Sequence, residues 1–336
     1  MFGTLFAGMC LNYRIAMMDN MKTMKKYLLP AFMITITAIM GSCSKSYTPT
    51  VGPYSNLEFA VATITSAAET TFVDASKGGT YYGKSGSRFI IPQNAFQTSG
   101  GGAVTGTIGI ISAEFLTKTD MMFSGIFPYN PSNNLATAGE VYINALDQNL
   151  NTLNFTTDLR YTINIPQAGT PPEGLSFFVG GQIPSSKDVA WSADLDSNVG
   201  SITYMLGHNA DTISITSNKT GFVAADKSID DPKTHYPTFS VTPVIPGVTL
   251  SDTVAAFAVY DGYNSMWLMQ NVNSNHIFTE SQVRPIPLHF VLMTVVNGYF
   301  YAGILAVPQL TNNANYQVTL TQIAPSDFKT MVGNLP

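Results

Sequence analysis

The chain has 336 residues, of which 45% are hydrophobic and only 11% charged, and its net charge is −5. An acidic, charge-poor surface is badly matched to nucleic acid. The plentiful Thr, Ser, Asn, Gly and aromatic residues suit strands and turns better than solvated helices. Cys10 and Cys43 are the two cysteines, so no disulfide or cysteine metal site can form in the chain beyond Cys43.

Read from Met21, the sequence opens with Lys22, Lys25 and Lys26. It continues through a 14-residue apolar run from Tyr27 to Met40 and reaches Gly41, Ser42 and Cys43. This is the order of a secretory signal. The run falls short of the roughly 20 residues of a membrane-spanning helix, and Pro30, Thr35 and Thr37 weaken it further. The residues around Cys43 resemble the lipobox of Bacteroidota-type lipoproteins, with Met40 where leucine is usual. The resemblance implies a cut before Cys43 and lipid on its sulfur. Residues 1–42 are then an upstream extension and signal peptide, with Met1 to Asn20 reading as an early start codon. Residues 43–54, rich in Ser, Thr, Pro and Gly, are a lipidated tether. Beyond the cut, 12 Lys plus Arg face 20 Asp plus Glu, a net of −8.

In chain order, strands are expected at Leu57–Ile64, Arg88–Ile91 and Ala103–Phe115, the last with a bulge near Ile110 where the apolar parity switches. They continue at Glu140–Ala145 and Tyr161–Ile165. The Pro/Gly-dense stretch from Pro166 to Gly174 then marks a domain boundary. After it come Leu175–Val179, Ile202–Leu206, Thr212–Thr216 and Thr253–Tyr260. Leu288–Val296 and Tyr299–Val307 form a hairpin, because Asn297-Gly298 supplies the two positive φ angles of a type I′ turn. Tyr316–Leu320 is the last strand and Ser326–Val332 the single short helix. The expected fold is all-β: two β-sandwich domains in tandem, 55–168 and 175–336, after a cleaved lipoprotein signal peptide, with one short C-terminal helix.

The run from Ser87 to Phe96 (SRFIIPQNAF), Val104 to Ile108, Glu114, Gly125, and Leu135 to Ala145 together resemble the ZU5-like β domain of Bacteroidota lipoproteins. Asn94 stands where that family has glycine, and asparagine tolerates the left-handed region. From Leu175 onward the chain is similar to transthyretin-like or carboxypeptidase-regulatory-like sandwiches, although Gly221 to Asp226 lacks their tryptophan-containing turn. Both resemblances imply sandwiches and bring no active site.

Gly78 to Ser85 matches the phosphate-loop pattern, yet a strand-like Arg88–Ile91 follows where the chemistry needs a helix N-terminus. Phe257 to Asp261 reads as a strand ending in a turn rather than as a partner magnesium strand. Asp194, Asp196 and Asn198 alternate like calcium ligands, but Val199 and Met205 stand where an EF-hand needs glycine and glutamate. His208, His235, His276 and His289 show no metal-ligand spacing, and no G-x-S-x-G elbow occurs. Asp211–Ile213 and Asp252–Val254 look like short O-glycosylation signals of Bacteroidota export systems. Trp191, Tyr260, Tyr263 and Trp267 lie near turns and are the candidate ligand-binding residues, able to stack on sugar rings if exposed and to fill a core if not.

The expectation is a non-enzymatic binding or scaffolding lipoprotein of the outer membrane. Its partners are the membrane, through lipid on Cys43, and a glycan or protein ligand. No catalytic or metal residues, cofactor, nucleotide or nucleic acid are expected. The alternatives are a fimbrillin-like shaft subunit and a glycan-active enzyme. Ser44 to Thr48 lacks the acidic cluster tied to surface export, which favours the periplasmic face.

Overall fold

A computed structural model describes residues 54–130, 133–167, 172–182, 189–205, 211–230, 235–250, 253–270 and 272–336. Cys43, the signal segment, nearly all of the tether, and His208 lie outside the described residues.

The first element is helix α1 (Leu57–Ala62) rather than the expected strand. Asn56 caps it, its side chain accepting the Phe59 amide at 2.8 Å, and Leu57, Ala60 and Val61 are buried at helical spacing. Then follow β1 (Glu69–Asp74), β2 (Gly79–Tyr82), β3 (Arg88–Ile91), β4 (Phe96–Gln97), β5 (Thr107–Phe115), helix α2 (Lys118–Ser124), β6 (Tyr129–Asn130), β7 (Asn133–Leu146), β8 (Thr152–Phe155) and β9 (Tyr161–Pro166). The next group is β10 (Ser176–Gln182), β11 (Val189–Ala193), β12 (Gly200–Met205), β13 (Thr212–Ser217) and β14 (Gly221–Ser228). The chain continues with β15 (Phe239–Val244), β16 (Val254–Tyr260), β17 (Met266–Leu268), β18 (Phe278–Glu280), β19 (Leu288–Val296), β20 (Tyr299–Val307), β21 (Asn315–Thr319), β22 (Thr321–Gln322) and helix α3 (Pro325–Gly333). Helix α2 escaped sequence analysis although its signals are local. Thr117 and Asp120 form a reciprocal capping box, and Gly125 closes the helix at φ 72°.

The protein is all-β, with its strands in four sheets among the described residues. In the first sandwich, the outer sheet β12-β13-β9-β3-β2 covers the inner sheet β1-β5-β7-β14-β10-β11. Their shared core includes Phe89, Ile163, Ile215, Ile110, Val141 and Val223. In the second, the outer sheet β18-β15-β21 covers the inner sheet β17-β16-β19-β20-β22. Phe239, Val241, Ala258, Phe290 and Val318 lie between them. The expected boundary at 168/175 does not hold. Strands from both sides of it share both sheets of the first sandwich, with β13 on β9 and β14 on β7, so the division falls after β14.

A third core joins the two inner sheets back to back. Phe115, Phe178, Trp191 and Ala224 of the first meet Phe257, Val259, Val291 and Met293 of the second, with Met121 and Phe123 of α2 and Phe328 of α3 filling the edge. Alternate residues of β16 and β19 therefore serve different cores, and every residue of β16 is buried. The same arrangement explains β5. It pairs with β1 and β7 in unbroken register, so the bulge expected near Ile110 is absent. Ile108 and Ile110 face the first sandwich's core, while Ala113 and Phe115 face the shared layer.

The irregularity sits instead between β7 and β14, where the register shifts between Ala224 and Asp226 opposite Gly139. Gly139 has φ 153°, and a Cβ there would lie 2.9 Å from Ile165 Cδ1 and 3.0 Å from Leu116 Cδ2. The Asn297-Gly298 hairpin has the expected positive φ angles of 51° and 81°, and Asn94 has φ 56°.

Candidate functional site

The four aromatic candidates do not form one exposed platform. Trp191 on β11 is buried in the shared layer, where its indole N–H donates to the Phe127 carbonyl at 3.0 Å. Tyr260 at the end of β16 is likewise buried. Neither ring is available to stack on a sugar: Trp191 lies in the layer between the sandwiches, and Tyr260 lies in the second sandwich's own core. Tyr263 and Trp267 are half-buried, and Trp267 meets Tyr129 at 6.1 Å between ring centroids. Phe127 lies edge-on to Tyr129 and Phe257, and Trp191 edge-on to Phe222, so the aromatic rings run along the joint between the sandwiches.

The polar functionality of this joint gathers around Asn134 at the start of β7. The Tyr260 hydroxyl donates to Asn134 Oδ1 at 2.5 Å and accepts the Arg284 amide at 3.0 Å. Asn134 Nδ2 donates to Asp230 Oδ1 at 2.8 Å and to the Gln282 carbonyl at 3.0 Å, while its backbone amide donates to Asp230 Oδ2 at 2.7 Å. Tyr236 completes the set, its hydroxyl 2.6 Å from Asp230 Oδ1. Burial, followed by the Asp230 contact, pushes the Tyr236 hydroxyl up to about 12. One asparagine thereby ties the linker after β14 to both sandwiches.

The phosphate-loop look-alike is the β2–β3 hairpin, and its amides are already occupied. Glu114 of β5 accepts the Ser85 amide at 2.7 Å and the Ser87 amide at 3.0 Å. A Cβ on Gly83 would collide with that carboxylate, which is the steric reason for a glycine there. The loop is thus neutralised by an internal anion that closes the end of the sandwich. Glu114→Ala leaves both amides without their acceptor and is expected to cost about 2 kcal/mol, read as a lower urea midpoint.

The calcium-like turn spends its oxygens locally. Asp194 Oδ1 accepts the Asp196 amide at 3.1 Å and Asp196 Oδ1 accepts the Asn198 amide at 2.8 Å, in successive Asx turns. Among the described residues no group of three or more His, Cys, Asp or Glu could hold a metal. His289 Nδ1 lies 2.7 Å from Asp261 Oδ1 at the rim of the shared layer. Beside them the Lys118 ammonium donates to the Tyr260 carbonyl at 3.0 Å, its pKa lowered by burial.

Sequence analysis missed the most unusual pair, Glu140 on β7 and Asp226 on β14, both completely buried. Part of the signal was present: Glu140 is an acid inside the apolar run Ala138 to Ile143, and Asp226 directly follows the apolar run Phe222 to Ala225.

No family model matches the chain, and no curated protein matches it. Among solved structures, it has a likeness to the major pilin SpaA of Corynebacterium diphtheriae, whose structure is described as pointing to a modular pilus assembly. That likeness covers 76% of this chain and 69% of the pilin at 8% identity, with a TM-score of 0.14, a value at which the two folds do not superpose.

Proposed function

We propose that the protein is a non-enzymatic scaffolding or binding module of the cell envelope, exported and held at the outer membrane by lipid on Cys43. The observation that supports this most is the back-to-back core. Two sandwiches fused through a third apolar layer make one four-layer body, suited to holding a surface in place. The resemblance of residues 87–145 to ZU5-like domains points the same way. The Tyr54 amide donates to the Gly298 carbonyl at 2.7 Å, so the tether leaves the body beside the β19–β20 turn. The 11 peptide links from Cys43 to Tyr54 reach at most about 40 Å when extended, which keeps that end of the body near the lipid. No helix among the described residues is long and apolar enough to cross a membrane, so in this reading the lipid supplies the attachment.

Cys43→Ser is expected to move the protein from the membrane fraction to the soluble fraction of lysed cells, with loss of the acyl mass from the amino-terminal peptide. Retention of the variant in the membrane would refute lipid anchoring. The ligand is sought by protease shaving of intact cells and by glycan-array binding. Turnover of an envelope glycan that a single carboxylate change abolishes would replace this reading with an enzymatic one, and multimers appearing after protease treatment would favour a shaft subunit.

A further inference from the structure

Glu140 stands between Phe115 of β5 and Ala224 of β14, its cross-strand partners, and both of these face the shared layer. Cross-strand partners project from the same side of a sheet, so Glu140 projects into that layer. Asp226 lies two residues beyond Ala224 on β14, and in the unbroken register with β10 it stands opposite Ser176 as Ala224 stands opposite Phe178 of the shared layer, so it projects the same way. Both are fully buried, and no donor among the described residues completes a hydrogen bond to any of their four carboxylate oxygens. The Thr137 hydroxyl beside Asp226 is turned instead to the Ala225 carbonyl at 3.5 Å and accepts the Gly139 amide at 2.9 Å.

The charged groups of the elements packed around the pair are engaged elsewhere. Glu114 points to the β2–β3 amides, and Lys227 reaches the Glu173 carbonyl. Lys118 of α2 is bonded to the Tyr260 carbonyl, and Asp120 caps its own helix. The turn after β16 closes over β7 with its Asn264 carbonyl on the Thr137 amide and its Ser265 hydroxyl on the Leu135 carbonyl. The titratable groups of that turn are Asp261, paired with His289 of β19, and Tyr263. Tyr142 shares the face of Glu140, with its hydroxyl held in the neutral form by burial. Among the described residues neither acid has a cation to answer its charge, and two bare carboxylates cannot persist in an apolar layer.

We infer that Glu140 and Asp226 are both protonated in the folded protein, and that the layer joining the two sandwiches is therefore a proton-dependent joint that loosens as these acids ionise. Burial pushes Asp226 from 3.8 up to about 8, with the nearby Thr137 hydroxyl pulling the other way. Burial, and then the Asp226 charge, push Glu140 well above the ordinary glutamate range. The folded state thus holds protons that the unfolded chain releases near its ordinary values. The pair's contribution to stability is fully present below about pH 4, falls as pH rises toward 8, and is lost above the folded pKa.

The test is thermal unfolding of the full chain between pH 5 and 9, followed by tryptophan emission. Of the chain's two tryptophans, Trp191 sits in this joint, while Trp267 packs against the second sandwich's own core and meets Tyr129 at the edge of the joint. The wild-type midpoint is expected to fall by about 10 °C from pH 5 to pH 8.5, with a red shift of native-state emission. Asp226→Asn and Glu140→Gln keep side-chain volume and should each remove at least half of that fall, the double variant nearly all of it. A wild-type midpoint and emission that do not change with pH would overturn the inference. So would a slope that survives in the double variant. Calcium added at pH 8.5 should leave the wild type unchanged; a calcium-dependent rise in the wild type that both variants lack would make the pair a cation site and overturn the reading of two protonated acids.

Discussion

Phe257→Ala is expected to destabilise the entire chain by about 3–5 kcal/mol, the range for deleting a fully buried aromatic ring. Phe257 is 2% exposed at the centre of β16, and its ring meets Phe127 edge-on at 6.1 Å between centroids. Its side chain belongs to the layer between the sandwiches, while its neighbours Ala256 and Ala258 belong to the second sandwich's own core. The cavity therefore opens where two cores communicate through one strand. Urea unfolding followed separately by tryptophan emission and far-ultraviolet circular dichroism should show one coincident transition shifted to lower urea. Two separated transitions, with the first sandwich unaffected, would show that the shared layer contributes little cohesion.

Asn134→Ala should cost about 2–4 kcal/mol, because it strands several partners at once. The Tyr260 hydroxyl loses its 2.5 Å acceptor in a fully buried position, and Asp230 and the Gln282 carbonyl lose their amide donor. Asp230 keeps the Asn134 backbone amide and the Tyr236 hydroxyl, which bounds the loss. The measurement is the urea midpoint of Asn134→Ala against Tyr236→Phe. Tyr236→Phe removes one peripheral hydrogen bond and should cost no more than about 1 kcal/mol. Equal effects of the two variants would place the weight of the network on Asp230 rather than on Asn134.

These two sites differ in how far the sequence disclosed them. Phe257 is readable as a core residue, since it lies in the unbroken apolar run Val254 to Tyr260. That it faces a different core from Ala258 is not readable, because a two-residue period says that a strand has two sides and not what lies against each. Asn134 carries no signal at all. Its partners lie 96, 126 and 148 residues away in sequence, and only chain closure brings them together. Nearness to turns makes Trp191 and Tyr260 read as ligand-binding, yet both are buried, Trp191 in the layer between the sandwiches and Tyr260 in the core of the second.

Local chemistry determined what the sequence could determine. The strand runs, the Asn297-Gly298 turn, the left-handed Asn94 and the short helix at residues 325–333 all follow from side-chain periodicity and backbone sterics within a few residues. The capping signals of α1 and α2 were equally local, but Leu57 to Ile64 alternates well enough to pass for a strand. Tertiary structure alone decided that β10 to β14 complete the first sandwich and that two inner sheets lie back to back. It also decided that Glu140 and Asp226 meet inside that layer. The reason is that these outcomes depend on which distant surface excludes water from a given face, and burial by a remote partner leaves no mark on the spacing of neighbouring residues.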